Sequence, residues 1–292
     1  MKKILTIGLL FFTLNIFPQG IEGILITNES KIMDVKKNGL YVCIATTSPD
    51  IDAIFKSSLD KYWTATPINY IKTTDKAADS KITLLLADYG ASGRSVAGKT
   101  TYSYTEMSLI NLGFGWFDNA FDNLRTEKNA YGILKSNENL KIMVPLYIKG
   151  FCSMYNSFYK NYAEGKSKWA NAGYGNYPDS LKMSKILIPQ EYFENGLTKA
   201  SFEQIPNKEF VSLKEIGQRL NDGKVKGCSY LQVYRTVRGC QLRIIDLYSG
   251  NVLYYKNFGQ AIMADQVGEP DKITDKEVSK MVIKMVEKMN NK

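Results

Sequence analysis

The stretch that decides the fold runs from Gly227 to Gly259 and reads GCSYLQVYRTVRGCQLRIIDLYSGNVLYYKNFG. Residues 228–235 and 241–247 alternate small or apolar side chains with polar ones, and a Ser-Gly-Asn turn at 249–251 leads into a third run at 252–255. Short runs of this kind, separated by glycine, are typical of paired β-strands. The stretch therefore predicts three consecutive strands of one sheet.

The rest of the second half predicts helices and strands that pack around these three strands. The apolar run KILIP at 185–189 predicts a strand, residues 197–205 a helix and residues 209–212 another short strand. Ser212 and Thr274 are each followed three residues later by glutamate, a capping box that marks the start of a helix. After Thr274, an apolar stripe at helical spacing predicts a helix packed on the sheet. The stripe consists of Val278, Met281, Val282, Met285, Val286 and Met289.

The first half of the chain repeats this order of elements more loosely, which indicates a structural duplication. We therefore predict an α/β (α+β) fold of two tandem small mixed-sheet domains of β-α-β-α-β-β-β-α type, with helices packed on the sheets. The segment after Ser180 is expected to have a hydrophobic core of its own, closed by the stripe from Val278 to Met289. The predicted elements of the first half are strands at 40–46, 68–72, 81–87 and 101–112, and helices at 49–63 and 143–162.

The amino-terminal residues indicate export. Lys2 and Lys3 precede an apolar run at 4–17, which is the pattern of a secretory signal peptide. The run is too short and too polar for a good membrane span. We therefore expect an exported protein, periplasmic or secreted, of a bacterial envelope. The predicted boundaries are a signal peptide at 1–20, an N-terminal α/β domain at 21–165, a linker or loop at 166–183 and a C-terminal α/β domain at 184–292.

Charge and composition narrow the range of partners. The formal net charge is +9 and falls to +7 once residues 1–19 are removed, but the basic residues form no run typical of a nucleic-acid tail. No later apolar run is long enough to span a bilayer. The first cysteine, Cys43, lies too far from the predicted cleavage site for a lipid anchor. We expect an envelope protein or a glycan as partner and no nucleic acid, and formation of a homo-oligomer is left open.

The chain contains no histidine and four cysteines, none of them in a C-x-x-C pair. Histidine-based zinc sites, Ser-His-Asp triads and Cys-His dyads are therefore excluded within this chain. Cys43 lies in an apolar run, and Cys228 and Cys240 would not face each other across a hairpin that turns near Val237. We expect free buried thiols, no catalytic residues, no metal and no cofactor.

One segment matches a nucleotide-binding motif. Residues 93–100, from Gly93 to Thr100, read GRSVAGKT and fit G-x-x-x-x-G-K-[ST], in which backbone amides hold phosphates and the lysine and threonine reach outer phosphates and magnesium. Such a loop is followed by a helix whose amino terminus faces the phosphates. Residues 101–108 are instead rich in β-forming side chains. A hairpin loop is therefore favoured over a phosphate-binding loop.

Asp246 closes the apolar run before the Ser-Gly-Asn turn. A carboxylate at the end of a strand can hold magnesium. An Asp before such a turn more often accepts hydrogen bonds from the turn itself, and this interpretation is favoured.

Three aromatic residues near the middle of the chain are the best candidate binding surface. Trp169, Tyr174 and Tyr177 lie among Gly, Asn and Lys in a stretch without helical or strand periodicity. Rings in such a setting suit stacking on glycans or contact with proteins. The alternative is that these three rings only line a loop and that the aromatics before them are core. The aromatics at helical spacing before this stretch are Tyr155, Phe158, Tyr159 and Tyr162.

The final hairpin, LRIIDLYSGNVLYYKNFG, and the order of elements around it resemble the TolB N-terminal-like domain. That domain also occurs in the curli secretion channel protein CsgG and in outer-membrane lipoproteins that regulate peptidoglycan synthesis. The resemblance covers residues 184–292 and, more weakly, 37–165, and it implies docking, assembly or regulation in the envelope rather than catalysis. The matching residues are Leu242, Ile244, Ile245, Asp246, Gly250 and Val252.

Two functions from different classes follow from the sequence. The first is an exported, non-enzymatic binding or assembly module of the cell envelope. The second is a nucleotide- or phosphate-binding enzyme that uses residues 93–100. The two differ in what should follow Thr100, because the first predicts sheet and the second predicts a helix.

Overall fold

A computed structural model provides the structure of the protein. The described residues are 24–25, 29–45, 49–72, 84–94, 101–110, 137–164, 169–170, 178–194, 196–236, 239–258 and 273–290. The predicted signal peptide at 1–20 lies outside them. Among the described residues, no helix combines the length and the apolar character that crossing a bilayer requires.

The first sheet is built from the first half of the chain and is open. Its strands lie in the order β3-β2-β4-β5. β2 pairs in parallel with both β3 and β4, and β4 pairs antiparallel with β5. The strands are β2 (Leu40–Ala45), β3 (Ile68–Tyr70), β4 (Leu84–Arg94) and β5 (Thr101–Ile110).

The second sheet is built from the second half of the chain and is also open. Its strands lie in the order β11-β10-β9-β7-β8. β7 pairs in parallel with β8 and β9, whereas β10 pairs antiparallel with β9 and β11. The strands are β7 (Lys185–Pro189), β8 (Lys208–Val211), β9 (Cys228–Thr236), β10 (Gly239–Asp246) and β11 (Val252–Phe258).

The two sheets repeat one topology. The order β3-β2-β4-β5 in the first corresponds, strand by strand and direction by direction, to β8-β7-β9-β10 in the second. No strand of one half enters the sheet of the other among the described residues. The predicted fold class, two tandem mixed-sheet units with packed helices, is therefore confirmed, and the common topology supports the predicted duplication.

Helices pack on both sheets, and a two-stranded ribbon completes the described elements. The ribbon pairs β1 (Ile24–Leu25) with β6 (Trp169–Ala170) in antiparallel register. The helices are α1 (Glu29–Asn38), α2 (Pro49–Tyr62), α3 (Asn137–Ala163), α4 (Pro178–Met183), α5 (Glu191–Glu194), α6 (Leu213–Asn221) and α7 (Asp275–Asn290), with a 3₁₀ helix at Lys199–Phe202.

Both predicted capping boxes begin a helix, and the one at Thr274 has both reciprocal hydrogen bonds, whereas the one at Ser212 has only the bond from the Glu215 amide. The Ser212 hydroxyl accepts a hydrogen bond from the Glu215 amide at 3.2 Å and begins α6. Before α7, the Glu277 amide donates to the Thr274 hydroxyl at 3.3 Å, and the Glu277 carboxylate accepts from the Thr274 amide at 2.9 Å. Each box satisfies amides that the first helical turn leaves without a partner. The stripe of α7 is buried, apart from a partly exposed Val286.

The long helix α3 belongs to both units. On one side it packs against α2, where the Trp63 ring lies 5.0 Å from Phe151 and 5.4 Å from Tyr155. On the other side it contacts α6, and side-chain hydrogen bonds join it to the second sheet. There the Tyr230 hydroxyl donates to Asn139 Oδ1 at 2.9 Å. The hydrophobic core is therefore continuous from the first unit to the second. The core expected after Ser180 is closed by the α7 stripe, as predicted, but it is not separate from that of the first unit.

A buried arginine contributes to the contact between α3 and the second sheet. Arg243 is only 3% exposed, and its Nη1 donates to the Tyr147 hydroxyl of α3 at 3.0 Å. Its guanidinium also lies 5.6 Å from the centre of the Tyr255 ring. A buried guanidinium is stable only with partners of this kind. The contacts of Arg243 therefore fix the position of α3 along β10.

Two predicted boundaries differ from the structure. α3 begins at Asn137 and not at Met143, so Pro145 lies inside the helix. The proline leaves the Lys141 carbonyl without its helical donor, but Lys141 is exposed and water can replace that donor. The predicted linker at 166–183 is also too long. Residues 178–183 form α4, which buries Leu181 and contacts α7 and β11, so this segment belongs to the second unit.

Candidate functional site: a polar pocket at the β10–β11 turn

A cavity of about 360 Å³ lies at the edge of the second sheet, where β7 and β9 begin and β10 ends. Most of the side chains that line it are polar, and they come from α4, from the starts of β7 and β9, and from the turn between β10 and β11. We call this cavity the turn pocket. Its lining residues are Ser180, Met183, Ser184, Gly227, Asp246, Ser249, Asn251 and Leu253.

Asp246 organises the turn that forms one wall of the turn pocket. Its Oδ2 accepts hydrogen bonds from the Ser249 amide at 2.8 Å and from the Ser249 hydroxyl at 2.6 Å, and its carbonyl accepts from the Gly250 amide at 2.8 Å. The Ser249 hydroxyl in turn accepts from the Asn251 amide at 3.2 Å. The turn-forming interpretation of Asp246 is therefore confirmed.

Gly250 fixes this turn against α3. Its φ of 76° lies in the left-handed region that favours glycine. A Cβ at this position would lie 2.5 Å from the Gly150 amide nitrogen and closer still to the Leu146 carbonyl oxygen. A Cβ at Gly150 would lie 2.8 Å from the Gly250 carbonyl oxygen. Only two glycines allow the turn and the helix to approach this closely.

Lys149 adds a charge beside the turn. Its Nζ donates to the Leu247 carbonyl at 2.8 Å, and the side chain is partly buried. Burial lowers the pKa of Lys149, the Asp246 carboxylate opposes that change and Lys61 adds to it. The ammonium and the Asp246 carboxylate therefore lie within electrostatic reach of each other, and the positive charge offsets the negative one at the turn.

The pocket lining retains unused hydrogen-bonding capacity. Asp246 Oδ1 and the exposed Ser180 hydroxyl have no hydrogen bond to the part of the chain that the structure describes. Asn251 Oδ1 is buried and likewise has no partner there. By contrast, the Ser184 hydroxyl is bonded to the Ser229 hydroxyl at 2.6 Å and forms a rigid part of the wall. A buried amide oxygen without a partner costs about 1–3 kcal/mol. The groups of the lining that a ligand can reach are Asp246 Oδ1 and the Ser180 hydroxyl.

Two large side chains lie exposed on the elements that form the pocket walls, and one of them, Met183, lines the pocket itself. Met183 is 76% exposed at the end of α4, and Tyr248 is 67% exposed in the turn, between Asp246 and Ser249. Among the side chains whose exposure the structure describes, no other large hydrophobic one is as exposed as these two. Exposed apolar groups next to a polar cavity are a usual feature of binding sites.

The predicted aromatic surface is only partly described. Trp169 lies in β6, opposite Leu25 of β1, so its backbone is part of a short ribbon and not of an irregular loop. Tyr174 and Tyr177 lie outside the described residues, and the binding role of all three stays a prediction. Of the earlier helical aromatics, Tyr155 is buried in the core, and Tyr159 lies under the Lys36 ammonium at 4.8 Å.

The nucleotide-binding motif lies between two paired strands. Gly93 and Arg94 end β4, Thr101 begins β5, and Arg94 is the register partner of Thr101. Residues 95–100 lie outside the described residues. A strand and not a helix follows Thr100, so the helix amino terminus that would face the phosphates is missing from this position.

The structure also describes the four cysteines and the acidic residues that could bind a metal. No group of three Asp, Glu or Cys residues in the described ranges is arranged to hold a metal ion. All four cysteines are free thiols, as predicted, and three of them are buried. Burial raises the pKa of Cys43 and of Cys228, which makes both thiols poor nucleophiles.

The chain matches no protein-family model, and neither the curated proteins nor the solved structures show a significant similarity to it. The resemblance to the TolB N-terminal-like domain therefore depends on the hairpin residues and on the order of elements.

Sequence reasoning missed the turn pocket, although it identified one wall. The motif of Asp246, Ser249, Gly250 and Asn251 was recognised as a turn. The opposite wall was missed because Ser180 and Met183 fall in the stretch interpreted as a linker. The available signal was Pro178 followed by Asp179, a pair typical of the first turn of a helix.

Proposed function

We propose that the protein is an exported, non-enzymatic accessory protein of the cell envelope that acts as a binding or assembly module. The observation that supports this role best is the turn pocket, a cavity with mostly polar side chains that is lined by the exposed Met183 and walled on one side by the turn that carries the exposed Tyr248. The pocket lies on a turn that α3 holds rigidly through Gly150 and Gly250. A rigid wall with exposed large side chains favours binding, because little conformational entropy is lost when a partner is bound.

The chemistry of the pocket favours contact over turnover. It contains one carboxylate, Asp246, which the turn already uses, and its other polar groups are hydroxyls and an amide. General acid–base catalysis needs a titratable group that is free to exchange a proton with the substrate. The chain has no histidine for that role.

The resemblance to the TolB N-terminal-like domain supports the same role. The residues that carry it form β10, the turn and β11, so they build one wall of the turn pocket. The Lys2-Lys3 and apolar pattern at the amino terminus adds the expectation of export. Together these features support an envelope protein that docks, assembles or regulates.

The alternative is a nucleotide- or phosphate-binding enzyme that uses residues 93–100. It is weakened by the antiparallel pairing of Arg94 with Thr101, since a phosphate-binding loop opens a helix. If it were correct, calorimetry would detect micromolar binding of ATP and magnesium that is lost in Lys99→Ala. We expect no such binding in either protein.

The proposed function is tested in the native cells. Intact-mass measurement of the purified protein should show that about twenty residues have been removed from the amino terminus. A full-length cytoplasmic species would contradict export. The mature protein, immobilised, should retain a specific component of an envelope extract, and this retention should not depend on added nucleotide. The absence of any retained protein or glycan would contradict the binding role.

A further inference from the structure

We infer that the turn pocket binds a neutral, polyhydroxylated ligand, a sugar ring of an envelope glycan. This inference rests on the proposed binding function and names the class of ligand that the site accepts. Four observations support it: the unused hydrogen-bonding groups, the offset charge at the turn, the apolar rim and the volume of the cavity.

The unused groups of the pocket favour a ligand that donates hydrogen bonds and can also accept one. Asp246 Oδ1 can only accept, and the exposed Ser180 hydroxyl can donate or accept. Asn251 Oδ1 is a further acceptor without a donor among the described residues, but it is buried beneath the surface of the lining. Hydroxyls on a sugar ring supply both donors and acceptors, whereas an anion supplies only acceptors and would face the Asp246 carboxylate.

The charge around the turn argues against a cationic ligand. A lone carboxylate in a polar pocket would attract an ammonium or a guanidinium. Here Lys149 is bonded to the adjacent Leu247 carbonyl and interacts with the same carboxylate, and Lys61 lies near enough to affect Lys149. An added cation would therefore meet two positive charges, while a neutral ligand would not.

The rim offers apolar surface for the carbon–hydrogen face of a sugar ring. Met183 lines the pocket and presents a flexible thioether that adapts to irregular shapes, and Tyr248 presents an exposed aromatic ring on the turn that forms one wall. Leu253 adds an apolar part to the lining itself. A sugar ring is polar at its edge and apolar on its face. It therefore matches a pocket that has both polar and apolar side chains.

The size of the pocket fits one or two sugar rings. Its volume of about 360 Å³ is near the lower end of the range of small-molecule sites, about 300–1,000 Å³. Its opening is bordered by the exposed Ser180 and Met183, so a ring within a longer glycan can enter without threading an end through the fold.

The test uses the methyl groups of the methionines as probes in the whole mature protein. With carbon-13 in these methyl groups, neutral oligosaccharides (maltotriose and the trimer of N-acetylglucosamine) are titrated and the Met183 signal is followed. We expect a saturable shift with at least one of them at millimolar or lower concentration. The signal of Met33, an exposed methionine of α1, is the internal control and should not move.

Variants test whether the pocket itself is responsible. Tyr248→Ser should weaken binding by about tenfold, which corresponds to about 1.4 kcal/mol, and Asp246→Asn should weaken it at least as much. Met33→Ser should bind as the unchanged protein does. If Asp246→Asn does not fold, Ser180→Ala replaces it, because Ser180 is exposed and makes no hydrogen bond to the described residues.

The outcomes separate this inference from the proposed function. No saturable Met183 shift with either oligosaccharide would overturn the inference, and so would a shift produced by methylguanidinium or by inorganic phosphate. If the envelope component is still retained by Tyr248→Ser and no sugar binds, the binding function stands and the ligand class is wrong. If sugars bind but the protein is found unprocessed in the cytoplasm, the proposed envelope role is the part that fails.

Discussion

Gly250 is needed both for the conformation of the β10–β11 turn and for the close packing of that turn on α3. The hydrogen bonds around Asp246 require a left-handed residue in the turn, and the contact with α3 leaves no room for a side chain there. These are two separate requirements that happen to fall on the same residue. Their effects can be measured separately, because other glycines of the chain have a left-handed φ but no neighbour that excludes a side chain.

We expect Gly250→Ala to lower the free energy of unfolding by about 3–5 kcal/mol, since it adds backbone strain to a clash with the Leu146 carbonyl and the Gly150 amide. The matched control is Gly223→Ala, where φ is 73° but nothing lies within 4 Å of the added Cβ. The control should lose about 1–2 kcal/mol from strain alone. Urea denaturation measures both, and equal losses would show that the contact with α3 contributes nothing.

At the residue scale, the sequence predicted turn chemistry but not packing. Asp246, Ser249 and Gly250 have a local role that is visible in their order along the chain. The role of Gly150 is visible only when α3 and the turn are placed together, because a glycine inside a helix has no local reason to be there. The same holds for Ser180, whose place in the pocket depends on where α4 packs.

At the scale of elements, helices with caps and long apolar stripes were predicted well, and short or interrupted elements were not. α7 combines a capping box with a buried stripe, and its prediction is confirmed. α4 is only six residues long, too short for periodicity to show. The predicted helix at 197–205 is reduced to a 3₁₀ helix at Lys199–Phe202. β4 extends to Arg94 because β5 pairs along its whole length, not because those residues favour strands.

The stripe of α7 leads to a prediction of stability. Met285→Asp places a carboxylate at a position with no exposure, so we expect the free energy of unfolding to fall by several kcal/mol. Ile283→Asp, on the same helix at 36% exposure, is the control and should lose no more than about 1 kcal/mol. Denaturation curves that show similar losses for the two variants would mean that the stripe does not face the core.

The ion pair between β8 and α6 predicts a dependence on pH. Arg219 donates to both oxygens of Glu209 and lowers the pKa of that carboxyl below its ordinary value of 4.5. A lowered folded-state pKa means that the pair stabilises the fold above the ordinary value and ceases to do so as the pH falls through the folded one. We therefore expect Arg219→Met to be less stable than the unchanged protein at neutral pH.

The difference in free energy of unfolding between the two proteins should shrink as the pH falls below 4.5 and through the lowered pKa of Glu209, because that carboxyl then becomes protonated. Chemical denaturation at neutral and at acidic pH measures it. Lys224→Met, which removes an exposed pair with Asp222, should show almost no difference at either pH. A difference for Arg219→Met that persists unchanged in acid would show that its packing, and not its charge, is what stabilises the contact.

At the scale of the whole molecule, the order of elements predicted two units of one topology, and the structure has both. What the order could not show is that α3 serves both units. Its apolar residues cover more than one side of the helix, from Leu140 to Tyr155, and this breadth was visible in the sequence. The sequence predicts that this helix closes the first unit. The order of elements does not indicate that such a helix also covers the sheet of the next unit.

The aromatic surface predicted from the sequence is tested on the whole molecule. Replacing Trp169, Tyr174 and Tyr177 together with serine should leave the thermal midpoint within a few degrees, as loop changes usually do. Retention of the envelope partner should weaken by more than about tenfold, or about 1.4 kcal/mol. A large fall in the midpoint would show that these rings are core. Unchanged retention at unchanged stability would place the binding surface elsewhere, with the turn pocket as the next candidate.

The close approach of Gly150 and Gly250 has a mechanical consequence. Tension that separates the two units must draw α3 away from one of them. Where α3 leaves the second sheet, the backbone that is disturbed includes the turn that carries Asp246 and Ser249. A molecule bound at that turn would therefore oppose this separation, and the separation would in turn weaken its binding.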